Sequence, residues 1–192
     1  SVPWITDGKH TGIVKALSDS SNPFHDKAIE WLRAKQAELS VKKIVTAAET
    51  GIKKIFLESI KDFSPNAYKN ANRESWVFAG FLNEDVTLRP VFYAYRQAVN
   101  KLSGFQKAER IEGLGKDVFL FRFTFSNKKP VYVVWCEQGK KQISLDVNCK
   151  YAEMEKVITE KDVTNSSPEI IRPKNGKVTF VVDSTPVFVT CH

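Results

Sequence analysis

The apolar pattern changes its period near Phe105, and that change constrains the fold more than any other feature of the chain. Ahead of it, short apolar runs alternate with stretches whose apolar residues recur at threes and fours, which is the mark of strand and helix in turn. Beyond it no long helical pattern occurs. Val118-Phe119-Leu120-Phe121-Arg122-Phe123-Thr124-Phe125 reads as a strand, Asn127-Lys128-Lys129 as a turn and Val131–Cys136 as the returning strand. Gln142–Leu145, Glu155–Thr159, Lys177–Val182 and Pro186–Val189 read as further strands, and Asn175-Gly176 is a hairpin signal. The expected fold class is α/β followed by all-β. Residues 1–104 form the first part, and residues 105–192 form an antiparallel β-sandwich or small barrel, the sandwich being the preferred reading.

Within the first part, Val2–Thr6 is a short strand running into an Asp7-Gly8 turn. A polar loop through Asn22-Pro23 leads to a helix from about Asp26 to Thr50, with Ile29, Leu32, Leu39, Ile44, Val45 and Ala48 as its apolar positions and Gly51 as its stop. Ile52–Ile60 reads as a buried strand centred on Ile55, Phe56 and Leu57. Strand, helix and strand at this spacing make a βαβ unit with parallel pairing. After a polar loop, Asp62–Ser75, and the apolar segment Trp76–Leu82, Arg89-Pro90 opens a second helix. That helix carries Phe92, Tyr93, Tyr95, Ala98, Val99 and Leu102 and ends at Gly104.

Composition excludes several classes. The formal net charge of +7 over 192 residues raises the question of an anionic partner. The lysines are spread along the chain, at most in adjacent pairs, and few alternate with aromatics as a nucleic-acid groove requires. They read as a solvated basic surface, and nucleic-acid binding through this charge, which would be strongly salt-dependent, stands only as a third reading. No apolar run reaches membrane length, and no membrane partner is expected. Cys136, Cys149 and Cys191 fit no zinc spacing. One disulfide among them is possible without an assignment, and reduced, partly buried thiols are the plainer alternative. His10, His25 and His192 lack ligand spacing, and neither a Ser-His-Asp arrangement nor a glycine-rich phosphate loop occurs, so no metal or cofactor is expected. Asn165-Ser166-Ser167 is a glycosylation sequon. Because the chain opens directly on a core strand, it is expected to be a piece of a longer polypeptide.

Several segments, in order, resemble the C-terminal part of clan-A glycoside hydrolases, the family 39-like β-glycosidases above all. Pro3-Trp4-Ile5-Thr6-Asp7-Gly8 resembles their seventh barrel strand, which usually reads Trp-Ile/Val-Thr-Glu-x-Gly. Lys35-Gln36-Ala37 and Ala47–Phe56 resemble the seventh helix and eighth strand. Phe78–Asp85 is similar to a Gly-Leu-x-x-x-Asp-Gly-like turn, and Arg89–Tyr95 to a Lys-Pro-Ala-Tyr-Tyr-Ala-Tyr helix start. Lys129–Trp135 resembles the opening of the terminal β-domain, and Gly176–Phe180 with Ser184–Val189 its last hairpin. The resemblance implies the last two βα units of a TIM barrel followed by a β-sandwich domain.

It also implies a carbohydrate substrate and a two-carboxylate mechanism, in which a retaining enzyme sets its carboxyl groups about 5 Å apart. The family nucleophile position falls on Asp7, where Glu is expected, and the acid/base would lie upstream of Ser1. Asp is one methylene shorter, which sets the carboxylate back from the anomeric carbon. Asp7 also reads as the cap of a turn with Gly8. On the eighth strand, Leu57 stands where the family has an aromatic platform. Glu58 there could bind sugar hydroxyls or pair with Lys61. Trp4 and Trp76 are candidates for substrate contact, Trp76 by stacking on a pyranose face, with plain packing as the alternative. His10 titrates in a range suited to acid/base work or stands solvated in its loop. A quarter barrel leaves strand edges and helix faces unpaired, so the remaining N-terminal part of the barrel is the expected partner, as a second chain or an upstream segment. The rival reading is a degenerate barrel that binds carbohydrate or serves a structural role.

Overall fold

The computed structural model describes residues 16–17, 19–52, 54–55, 59–62 and 80–192. Helix α1 spans His25–Glu49 and helix α2 spans Pro90–Leu102. Eight strands follow: β1 Lys107–Ile111, β2 Val118–Thr124, β3 Val131–Cys136, β4 Lys141–Asp146, β5 Ala152–Lys156, β6 Glu169–Ile171, β7 Lys177–Val182 and β8 Val187–Cys191.

Both helices end where the backbone chemistry demands. After α1, Gly51 takes φ +81, its N–H donates to the Ala48 carbonyl at 3.2 Å, and the Ile52 N–H donates to the Ala47 carbonyl at 2.9 Å. This is a Schellman stop, in which glycine adopts the left-handed conformation without a Cβ penalty. Pro90 occupies the first turn of α2, where a missing N–H costs nothing. The buried stripe of α1 keeps Leu32 and Val45 of the expected positions but otherwise differs. Ala37, Val41 and Val45, spaced by fours, are fully buried, and Glu38 and Lys42 are buried beside them. Ile29, Leu39, Ile44 and Ala48 are only half-buried.

Six strands form one antiparallel sheet in the order β1-β2-β3-β8-β5-β6, and β4 pairs with β7 in a second sheet. The six-stranded sheet is buried on both faces. Val118, Leu120, Tyr132, Val134, Val187 and Val189 meet Ile143, Leu145, Val178, Phe180 and Val182 of the small sheet. On the opposite face Phe121, Phe123, Val131, Val133, Trp135 and Phe188 meet Ala37, Val41 and Val45 of α1 and Val91, Ala94, Ala98 and Leu102 of α2. The result is three layers, with the helices and the small sheet on either side of the large one. In β3 all six residues are buried, because alternate residues feed the two cores. Strands β4 and β7 bury one face only, and Ser144 and Thr179 hydrogen-bond at 2.8 Å on their solvent side.

The antiparallel sheets follow the expected class, but details differ. β1 and β6 were not expected, and both lie at sheet edges, where they are short and bury no residue fully. β5 begins three residues before the expected Glu155. Val157 and Ile158 are buried just past its end, where the Val157 N–H bonds to the Pro186 carbonyl and the Ile158 N–H to Gln97 Oε1. Asn175-Gly176, at φ +53 and +75, makes a two-residue turn closed by Lys174 and Lys177, yet it joins β6 of one sheet to β7 of the other instead of forming a hairpin. The strand expected at Val2–Thr6 lies outside the described residues, as do Phe56, Leu57 and Glu58. Of the strand expected at Ile52–Ile60, the described residues Ile52 and Ile55 join no sheet and are 54% and 44% exposed. Among the described residues the parallel pairing is a single bridge between Lys61 and Leu82.

Candidate functional site

Asp7, Trp4, His10, Glu58 and Trp76, the five candidate site residues of the sequence, all lie outside the described residues. The structure does describe the frame that Glu58 and Trp76 adjoin in sequence, where residues 59–62 meet 80–89.

That frame is built on a buried ion pair. Arg89, the residue capping α2, is 1% exposed and bridges to the Asp62 carboxylate, itself 8% exposed. The guanidinium also donates to Asn83 Oδ1 at 2.8 Å and to the Gly80 carbonyl at 3.2 Å. The other Asp62 oxygen accepts the Gly80 N–H at 2.9 Å. Helix α1 reaches the same cluster, with Arg33 donating to Asn83 Oδ1 at 2.8 Å and Gln36 to the Gly80 carbonyl at 3.1 Å. Burial, followed by the neighbouring Arg33 charge, weakens the hold of Arg89 on its proton; contact with the Asp62 carboxylate opposes that effect. Backbone bonds tighten the frame: Phe81 and Leu82 donate to the Ile60 carbonyl, and Asp62 donates to the Leu82 carbonyl, each at 2.9 Å.

Gly80 is required by this approach. A Cβ there would sit 2.8 Å from the Leu82 carbonyl oxygen and closer still to the backbone of Lys61 and Asp62. The frame therefore fixes where the chain leaves at Asp62 and returns at Gly80. Arg89 pairs with Asp62, and Arg33 and Gln36 bond to Asn83 and the Gly80 carbonyl within the frame, so its role is positional. Sequence reasoning passed over Asp62, Arg33 and Arg89 as parts of one site. The available signal was a cation placed directly before the proline of an otherwise apolar helix start.

A second concavity, a polar cleft of about 410 Å³, lies between α2 and β5 and is lined by Tyr93, Arg96, Gln97, Lys101, Glu155 and Ser166 among others. Glu155 Oε1 accepts from Gln97 at 2.8 Å and from Ser166, and Oε2 from Lys101 at 2.6 Å. Burial raises its pKa, but the hydrogen bonds from Lys101, Ser166 and Gln97 outweigh that and hold it below its ordinary value. A carboxylate with both oxygens engaged is a pin between helix and sheet, not a free acid or base. The sequon residue Asn165 lines the same cleft and accepts from Arg96 at 3.3 Å. Among the described residues no group of three His, Cys, Asp or Glu could hold a metal. No helix of the described residues is long and apolar enough to cross a membrane.

A third concavity is apolar. Ile44, Ala48, Ile52, Ile55, Val99 and Phe105 line a groove of about 710 Å³ along the outer sides of α1 and α2.

No protein-family model and no curated protein matches this chain. Solved structures match in fold. The chain is similar to a family 39 glycoside hydrolase from the gut symbiont Bacteroides cellulosilyticus WH2, with a TM-score of 0.58 and 11% identity, covering 83% of this chain and 31% of that one. It is also similar to the family 30 subfamily 8 xylanase Xyn30A from Clostridium acetobutylicum, with a TM-score of 0.51 and 14% identity, covering 83% of this chain and 39% of that one. The fold is thus related to that of glycoside hydrolases, and the chain spans about a third of the length of these enzymes.

Proposed function

We propose that this chain is the C-terminal part of a glycoside hydrolase that cleaves O-glycosidic bonds with two carboxyl groups. Residues 1–104 would supply the last two βα units of its barrel, and residues 105–192 its terminal β-domain. One observation carries the reading. The likeness in fold to a family 39 glycoside hydrolase extends over 83% of the chain, and segments spread along the same chain independently resemble that family in order of residues. The two parts share a core across the boundary, since α1 and α2 cover one face of the large sheet.

Asp7 is the proposed nucleophile, and the acid/base is proposed to come from a second polypeptide or an upstream segment that completes the barrel. Trp4, His10, Glu58 and Trp76 would surround the substrate. The frame at Asp62, Gly80 and Arg89 supports this arrangement, because it anchors the ends of the connection that carries Trp76 and stands just after Glu58 in the chain. The apolar groove along Ile52 and Ile55 supports a further protein surface there, since contiguous exposed apolar area marks an interface.

The test is made on the protein assembled with the polypeptide that completes the barrel. Asp7→Asn should abolish turnover of aryl glycosides, because an amide neither attacks the anomeric carbon nor leaves it as a carboxylate does. Asp7→Glu should retain or raise turnover. Full activity in Asp7→Asn removes Asp7 from the catalytic set. A second reading, a catalytically degenerate barrel that binds carbohydrate, is favoured by Asp7 standing where the family has Glu and by Leu57 standing where it has an aromatic. On that reading both variants keep sugar binding within a few-fold, and no variant turns over substrate.

A further inference from the structure

Three thiols stand free among the described residues, and the fold treats them differently. Cys136 closes β3 and donates to the Gln138 carbonyl at 3.2 Å. In the β3–β8 ladder Val131 stands opposite Thr190 and Val134 opposite Val187, so Cys136 lies at the far end of the strand pair from Cys191. At roughly 3.4 Å per residue that separation is on the order of 20 Å, far beyond the reach of a disulfide.

Cys149 and Cys191 are brought together by backbone pairing. The β5–β8 ladder sets Ala152 opposite Cys191. Past its end the pairing continues: the His192 N–H donates to the Tyr151 carbonyl at 3.0 Å and the Lys150 N–H to the His192 carbonyl at 2.9 Å. The chain at 149–151 is thereby held against the end of β8. Cys191 is 6% exposed in the core between the two sheets, and Cys149, half-buried, packs against that same core. The Cys149 thiol is a neighbour close enough to disfavour the Cys191 thiolate. The Lys129 ammonium donates to the Asn148 carbonyl at 3.0 Å and favours negative charge at Cys191.

We propose that Cys149 and Cys191 close into a disulfide that staples the β4–β5 connection to the end of β8. The reaction is exchange with a small-molecule disulfide such as glutathione disulfide. The Cys149 thiolate attacks one sulfur of the oxidant, forming a mixed disulfide and releasing one glutathione thiolate. Cys191 gives its proton to solvent and attacks Cys149 Sγ, and the second glutathione leaves as a thiolate. The protein loses two electrons and two protons, and the oxidant becomes two thiols. Burial and the neighbouring Cys149 push the Cys191 thiol up to about 12, so the half-exposed Cys149 reacts first. The ring so formed encloses β5, β6, β7 and β8 up to Cys191, a long loop whose closure restricts the unfolded chain.

The test uses the purified chain, treated with glutathione disulfide, alkylated with iodoacetamide and mapped by tryptic mass spectrometry. The expected product has lost about 2 Da, with peptide 142–150 linked to peptide 178–192 and Cys136 alkylated. Its melting temperature should rise by roughly 5–15 °C and return on treatment with dithiothreitol. The rise should be absent in Cys149→Ser and kept in Cys136→Ser. Should Cys136→Ser fail to fold, the peptide map of the unsubstituted chain decides alone. Alkylation of all three thiols after oxidation, glutathione retained on Cys149 without closure, or a link involving Cys136 would each overturn the proposal.

Discussion

Removing the Arg89 guanidinium tests the frame at its most buried point. Arg89→Met keeps most of the side-chain volume but leaves the Asp62 carboxylate, 8% exposed, without its cation. Of the described donors to Asp62 only the Gly80 N–H remains, while Asn83 keeps Arg33 and the Gly80 carbonyl keeps Gln36. The cost is therefore dominated by one uncompensated buried charge, about 3–5 kcal/mol. For a chain of this size that lowers the melting temperature by roughly 6–20 °C. Asp62→Asn should cost a similar amount by stranding the guanidinium. The double variant should be far milder than the sum, because replacing a whole buried pair is often near neutral. Urea unfolding followed by tryptophan fluorescence, run as a double-mutant cycle, should give a coupling of at least ~2 kcal/mol. An Arg89→Met chain within ~1 kcal/mol of the parent, or a coupling below ~0.5 kcal/mol, refutes the argument that this pair anchors the frame.

Phe188 is fully buried where β8 meets the helices, so Phe188→Ala should cost about 3–5 kcal/mol in the same assay. Val181→Ala, at a side chain 52% exposed, should stay within ~0.5 kcal/mol. Glu155→Gln weakens the pin between α2 and β5 and should cost about 1–2 kcal/mol at pH 7. Because the folded carboxyl titrates below its ordinary 4.5, its contribution is complete above that value and is lost as pH falls through the lowered one. The difference from the parent should therefore shrink in acid-unfolding curves below pH 4.5.

The sequence was informative where a single residue type decides local geometry or where one period runs unbroken. Gly51 and Pro90 bound the helices because a left-handed stop and a missing N–H have few other uses. β3 was visible as an apolar run, although its lack of alternation concealed the reason, which is burial on both faces. The edge strands β1 and β6 were hidden because exposed edges need no apolar alternation. Asn175-Gly176 correctly marked a tight turn, but a turn does not specify whether its flanks join one sheet or two. Nothing local pairs Asp62 with Arg89, or Cys149 with Cys191. Those contacts are made by the crossing of segments distant in sequence, and only the three-dimensional frame reveals them.

Trapping a covalent intermediate tests the proposed function most directly. The assembled protein would be incubated with 2-deoxy-2-fluoro glycosides carrying a good leaving group, and the tryptic peptide 1–9, which holds Asp7, would be weighed. A glycosyl increment on that peptide is expected, absent in Asp7→Asn. Hydrolysis of the parent glycosides with no increment on peptide 1–9, or an increment on a different carboxylate, would contradict it.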